Sequence, residues 1–228
     1  MTPQPQPFSN PTLVAGYAIE TPRKVPGLAD LHRMASLLLA EPAGATARML
    51  VVGAGGGLEL RAMAEAQPGW HFVGVDPSAA MLDIARQTAA PFLDRIELLE
   101  GFVADAPAGP FDGATCLLTL HFLDAEERLK TLKQIRNRLK PGAALVVAHH
   151  SRLDGDNLER WLARSIAFGD RAGLDPARAA TSAAMMAERL PLLTIAEDEA
   201  LLAEAGFTDV SMFYAALSFR GWVAVAGG

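Results

Sequence analysis

Met49-Leu50-Val51-Val52-Gly53-Ala54-Gly55-Gly56-Gly57-Leu58-Glu59 is the stretch that decides the fold. Residues 49–52 have the length and apolar character of a buried strand, and the glycines after them make a tight turn into a helix. With no Cβ on such a turn, backbone approaches a ligand closely. The helix beyond aims its unpaired N–H groups at the same place. This is the loop of a doubly wound α/β sheet that binds a nucleotide-type cofactor, so the flanking sequence must supply alternating strands and helices.

It does. Downstream, His71-Phe72-Val73-Gly74-Val75 reads as a second strand ending on Asp76, and Pro77-Ser78 opens a helix carrying Met81, Leu82, Ile84 and Ala85. Pro91 interrupts, a short third strand spans 95–99, and 101–110 is loop. A fourth strand covers 113–118, followed by a loop at 119–123. The spacing predicts a helix over 125–139 with Leu129, Leu132, Ile135 and Leu139 on one face, stopped by Pro141-Gly142. A fifth strand, 143–148, follows, and the alternation implies a parallel sheet with helices on both faces.

Upstream, apolar residues at helical spacing predict a helix over 28–39, broken by 42–46. Pro3, Pro5, Pro7 and Pro11 suggest that 1–15 is an extended, flexible arm, leaving 16–228 as one domain. Residues 154–189 read as two helices rich in Ala, Leu and Met, a cap over the cofactor edge. Thr194 with Glu197 makes a capping box for a helix ending at Ala205-Gly206. Closing strands at 209–215 and 219–226 suit an antiparallel hairpin, which completes a mostly parallel seven-stranded sheet with an antiparallel last strand.

Composition narrows the function classes. Half of the 228 residues are hydrophobic, enough for a sizeable core. A net charge of -6 argues against a nucleic-acid binder held by phosphate contacts. The lone Cys116 excludes an intrachain disulfide and a cysteine zinc cluster, and points to a reducing cytoplasm. No apolar run reaches the ~20 residues of a membrane span. The five histidines show no metal-ligand spacing, so no metal site is expected.

Asp76 follows the glycines by the interval expected of a carboxylate that accepts hydrogen bonds from a ribose, although it is also placed to cap the helix after Pro77. A nicotinamide enzyme is the obvious rival. Its fingerprint wants a third glycine where Leu58 stands, and a second mononucleotide-binding half afterwards. His149 and His150 end the fifth strand at the carboxyl edge, where such sheets bind ligands. One of them is a candidate general base, and a hydrogen-bonded strand-end pair without chemistry is the alternative. His121 reads as structural, and His32 and His71 as peripheral.

The chain resembles the class I S-adenosylmethionine (SAM) dependent methyltransferases. The resemblance runs over 23–226 and rests on Val51-Val52-Gly53-Ala54-Gly55-Gly56-Gly57, Gly74-Val75-Asp76-Pro77-Ser78-Ala79-Ala80-Met81-Leu82, Leu139-Lys140-Pro141-Gly142-Ala143 and Ala205-Gly206-Phe207-Thr208-Asp209-Val210. The entry segment Arg23-Lys24-Val25-Pro26-Gly27 and the ending at 213–225 are similar to the branch that contains carboxy-SAM synthase, of the tRNA wobble-uridine pathway, and its uncharacterised relatives. The resemblance implies SAM, or S-adenosylhomocysteine, as cofactor. It places Gly53, Ala54 and Gly55 at the methionine portion, Asp76 with Pro77 at the ribose, and Met81 on the adenine face. It further places Leu117 and Leu118 backbone at the amino group, and Tyr17 and Arg23 closing the site, with Arg23 a candidate for the cofactor carboxylate.

Four positions depart from the pattern of the family or its branch, one of them Leu28, where the branch has a tyrosine after Val-Pro-Gly. Val51 replaces an acidic residue that supports the glycine loop, which implies altered loop contacts. Phe102 replaces the acid that meets the adenine amino group, leaving stacking and the backbone of Phe102 and Val103. The branch's arginine for the extra carboxylate falls near Ala183, and an unpaired buried carboxylate is costly, so ordinary SAM is expected.

Methyl transfer from a sulfonium is an in-line displacement in which alignment and exclusion of water supply much of the catalysis. The expected activity is methyl transfer to a small-molecule acceptor in a cytoplasmic enzyme, with a homodimer suggested by the long cap helices. Trp161, Leu162, Phe168, Met185 and Met186 are candidates for an apolar acceptor pocket, or for helix core or a dimer face. The alternatives are chemistry on a SAM derivative, as in carboxy-SAM synthase, and a catalytically silent SAM-binding or dimerisation module.

Overall fold

The computed structural model describes residues 14, 16–153, 157–170 and 175–228. Two helices, α1 (Tyr17–Lys24) and α2 (Leu28–Ala43), lead into the alternating core. That core runs β1 (Ala47–Val52), α3 (Leu58–Ala66), β2 (Trp70–Asp76), α4 (Ala79–Thr88), β3 (Ile96–Glu100), β4 (Phe111–Leu117), α5 (Ala125–Arg136) and β5 (Leu139–His150). Helices α6 (Leu158–Gly169), α7 (Pro176–Arg189) and α8 (Ile195–Glu204) precede the hairpin of β6 (Phe207–Ala216) and β7 (Phe219–Ala226).

The expected sheet is present: seven strands in the order β3-β2-β1-β4-β5-β7-β6. Pairing is parallel from β3 to β5, and β7 runs antiparallel to both of its neighbours. The central β1 carries Leu50, Val51 and Val52 with almost no solvent contact, as a strand covered on both faces should. Successive side chains alternate between two cores. Met49, Val51, Leu117, Val146 and Ala148 pack under α2 and α3, whereas Leu50, Val52, Cys116, Leu145 and Val147 pack under α5 and α8.

Several boundaries differ from the sequence reading for identifiable reasons. Helix α2 passes Pro42 and ends at Gly44, whose φ of 75° leaves the helix. A proline in a last turn removes one backbone bond, which is less than a break in mid-helix. Helix α5 stops at Arg136, before Pro141-Gly142, because Leu139 is already laddered to Phe111. The register then jumps to Gly113 opposite Ala144, so Pro141 and Gly142 sit within β5 at an irregularity. The capping box of Thr194 and Glu197 forms as expected. Of the expected arm at 1–15 only Val14, which is buried, lies among the described residues; of the expected cap, 154–156 and 171–174 lie outside them.

A buried polar cluster locks α5 to α8 on the second face. Arg128 pairs with Asp198, which also accepts from Ser151 Oγ at 2.6 Å. Burial opposes ionisation of Asp198, but His149, Arg128 and Ser151 outweigh it and hold the carboxyl below its ordinary range. Arg128→Met leaves a buried carboxylate without its cation, and urea denaturation should register a loss of about 3–5 kcal/mol, with the double variant Arg128→Met/Asp198→Leu recovering part of it. Gly57 caps α3 at φ 76°, and a Cβ there would stand 2.8 Å from Ala85 Cα. Gly57→Ala should therefore lower stability by about 2 kcal/mol or more in the same measurement.

Candidate functional site

The glycine loop forms at the carboxyl end of β1. Gly53, Gly55 and Gly57 all have positive φ, and the N–H groups of Gly53 and Ala54 both donate to Val75 O at 2.9 Å. This turn is held from the neighbouring strand by one side chain. Asp76, at the end of β2, accepts from Gly55 N–H through Oδ2 and from Ser78 N–H through Oδ1, both at 2.9 Å. The cap of α4 is Ser78, so Asp76 braces the loop and is not itself the cap. Burial pushes the Asp76 carboxyl up, while the N–H groups of Ser78 and Gly55 pull it down. Each oxygen keeps a lone pair for a further donor. Pro77, half-buried, links Asp76 to that cap.

Three side chains enclose the loop. Met81 reaches it from α4, with Cε 3.4 Å from where a Cβ on Gly55 would stand. Tyr17 lies across it, its ring 2.6 Å from a Cβ placed on Gly56. Thr119 packs so closely that its Oγ1 would fall 2.0 Å from a Cβ on Gly53. The glycines are thus required for close packing as well as for φ. Thr119 escaped sequence reading because nothing in a five-residue loop marks which side chain turns inward.

On the β4 side of the loop lies a small cavity of about 20 Å³, lined among others by Tyr17, Thr21, His32, Glu59, Leu117 and Leu118. Leu118 has φ 56°, a conformation that bulky residues rarely adopt. Its N–H donates to Ala148 O at 2.6 Å, while Leu117 O accepts from Thr119 Oγ1 at 2.9 Å. Two of the lining residues correct the sequence reading. His32, expected to be peripheral, is buried beside the loop, where burial lowers its imidazole to about 4. Glu59, read only as part of α3, is buried and hydrogen-bonded by Thr115 Oγ1. Burial raises its carboxyl to about 8 against the opposing pull of that hydrogen bond.

Arg23 does not line this cavity; it pairs with Glu20 at 2.8 Å on another side of α1, while Tyr17 and Thr21 of the same helix face inward. At the outer end, the Phe102 ring is 60% exposed and Val103 is buried. The Phe102 N–H, part of the backbone expected to meet an adenine, is already given to Asp105 Oδ2 at 2.8 Å.

The two strand-end histidines part company because consecutive residues of a strand face opposite ways. His149 turns to the α5–α8 face, packs on Trp222 with centroids 5.3 Å apart, and lies 3.2 Å from Asp198 without a hydrogen bond's alignment. This corrects its reading as a base: it belongs to the buried cluster on the far face. His150 turns to the face of the glycine loop, stacked on Phe219 at 3.8 Å and edge-on to His121 at 5.1 Å. Its Nδ1 meets Ser218 Oγ at 2.7 Å, and Ser218 Oγ meets Ser165 Oγ of α6 at 2.6 Å. Burial first, then His149, lowers the His150 imidazole to about 3, which keeps it neutral.

Of the readings left open for the cap residues, helix core describes Leu162 and Met186. Leu162, Ala183 and Leu192 form the contact between α6 and α7, with Met186 against them. Trp161 carries Arg164 over its ring at 4.4 Å, and Phe168 and Met185 are exposed.

Comparison with known proteins agrees with this geometry. A family model described as "Methyltransferase domain" matches residues 50–145, from β1 into β5. The carboxy-S-adenosyl-L-methionine synthase of Aeromonas hydrophila is 24% identical over 213 residues, covering 89% of this chain and 84% of that protein. The enzyme of the same name from Chromohalobacter salexigens is 27% identical over 207 residues, covering 89% and 77%. Among solved structures, human N-acetylserotonin methyltransferase, in complex with SAM, superposes with a TM-score of 0.59 at 19% identity, over 95% of this chain and 59% of that one. An O-methyltransferase family protein from Burkholderia thailandensis gives 0.61 at 18%, over 88% and 57%. This chain thus spans under two thirds of those two solved chains, and at such identities they speak for the fold alone.

The glycine loop braced by Asp76, the strand order with its reversed β7, and the match over 50–145 lead to one assignment: the chain carries a methyltransferase domain within the fold of the class I SAM-dependent methyltransferases.

Proposed function

We propose that this domain binds SAM across the glycine loop and transfers its methyl group to a small-molecule acceptor approaching from the side of His150 and α6. The observation that carries this reading is the cradle itself: three positive-φ glycines at the end of β1, braced by Asp76, with no side chain of their own to block an adenosyl group. In it, Asp76 would hold the ribose hydroxyls, Met81 and the exposed Phe102 ring would flank the adenine, and Leu117 and Leu118 would border the methionine tail. SAM supplies a methyl group on a sulfonium, already activated for displacement. The protein's part is to align the acceptor and to exclude water.

A base is needed only for an acceptor that arrives protonated. His150 is our candidate: in the tautomer whose Nδ1–H donates to Ser218 Oγ, the Nε2 lone pair is left for an acceptor. Exposed Ile19, Phe168 and Met185 on α1, α6 and α7 support a homodimer, and a lone free thiol suits a reducing, cytoplasmic setting. Chemistry on a carboxylated SAM is a second reading, favoured by the names of the relatives. Against it, Ala183 is buried in an apolar contact with no cation of its own. Mass spectrometry of the ligand carried through purification separates the two by mass.

Calorimetry should find low-micromolar binding of SAM or S-adenosylhomocysteine. Asp76→Ala should weaken it roughly ten- to a hundredfold, through loss of both the ribose acceptor and the loop brace; unchanged affinity removes the ribose assignment. Once an acceptor is found with labelled SAM, His150→Ala should lower kcat by about a hundredfold with SAM affinity retained, whereas an unaltered kcat makes His150 purely structural.

A further inference from the structure

Glu59 is the buried ionisable group left without a task. It stands in the first turn of α3, and among the described residues no ion pair reaches it. Thr115, which holds it, is paired with Val51 across the β1–β4 ladder, so the Glu59 carboxyl lies over the middle of the sheet, directly beneath the glycine loop. It also lines the cavity bordered by Gly53, Ala54, Leu117 and Leu118. A ligand laid across the loop with its ribose at Asp76, on β2, must extend over β1 toward β4, because that is the strand order. Its far end arrives at Glu59.

We propose that Glu59 receives the α-ammonium of the methionine tail of SAM, supplying from α3 the carboxylate that β1 lacks at Val51. The proposal rests on SAM being the cofactor. A buried carboxylate and an ammonium are each costly alone and compatible together. Tyr17 covers the loop, so the bound tail displaces its ring from above Gly55 and Gly56. Binding is then coupled to a proton. Glu59 is protonated in the free protein below about 8 and must lose that proton to meet a cation.

The groups facing Glu59 do not confuse the titration. From α1, burial raises Tyr17 to about 12, and from α2, His32 is lowered to about 4. Across the sheet on β4, burial pushes the Cys116 thiol far up. From β2, burial holds the Asp76 carboxyl above its ordinary value, and the N–H groups of Ser78 and Gly55 only partly offset that push. The ligand's own α-amino group ionises near ~8, so the measurement belongs below neutrality.

Isothermal titration of SAM into the full chain at about pH 6.5, in buffers of different ionisation enthalpy, should register release of about one proton per SAM bound. Affinity should rise about tenfold per pH unit below neutrality. Glu59→Gln should abolish the proton release and weaken SAM roughly ten- to a hundredfold, while 5′-methylthioadenosine, which has no ammonium, binds both proteins alike. SAM binding by the wild type without proton release overturns the proposal even if the variant fails to fold, and so does a folded Glu59→Gln protein with unchanged SAM affinity. A wild type that binds neither ligand removes the cofactor reading, and this proposal with it.

Discussion

The site depends on one hydrogen bond, from the Gly55 N–H at the end of β1 to Asp76 Oδ2 at the end of β2. A run of glycines has many conformations open to it, and ordering them is entropically costly. Parallel pairing of β1 with β2 brings the two strand ends level, with Val52 opposite Val75. The Asp76 side chain then spans the gap and fixes the turn. Everything that encloses the loop, from Met81 to Tyr17 and Thr119, packs against a backbone held in this way.

The two faces of the sheet divide labour by polarity. On the α5–α8 face, Arg128, Asp198, Ser151 and His149 form a buried cluster tied through Asp198, which accepts from Arg128 and Ser151, while Arg128 Nε and both His149 ring nitrogens find no hydrogen-bond partner among the described residues. Such a network fixes how two helices sit and offers little to a ligand. On the α2–α3 face His32, Glu59 and His150 are buried ionisable groups, each made neutral by burial and each bordering the loop or the strand ends next to it. Their hydrogen-bond partners here are hydroxyls, Thr115 for Glu59 and Ser218 for His150, so a charged ligand group is the stronger partner they lack among the described residues.

The local helix caps and the hairpin were readable because each depends on contacts a few residues apart. The capping box at Thr194 is one such case. The end of α5 and the start of β5 were not, since Leu139 is claimed by a strand partner, Phe111, that no local pattern announces. The sequence left the cap residues between two readings for a similar reason. Apolar side chains such as Leu162 and Met186 have the same spacing whether they line a pocket or pack helix on helix, and here they do the latter.

Sequence alone determined the order of strands and helices, the glycine turn and the distance to Asp76, because hydrophobic period and glycine placement are written along the chain. It could not separate His149 from His150, move His32 and Glu59 into the site, or take Arg23 out of it. Those outcomes turn on which face of a strand or helix each side chain occupies, and on which distant element covers that face. Burial, and with it the charge each group carries, exists only once the sheet has closed.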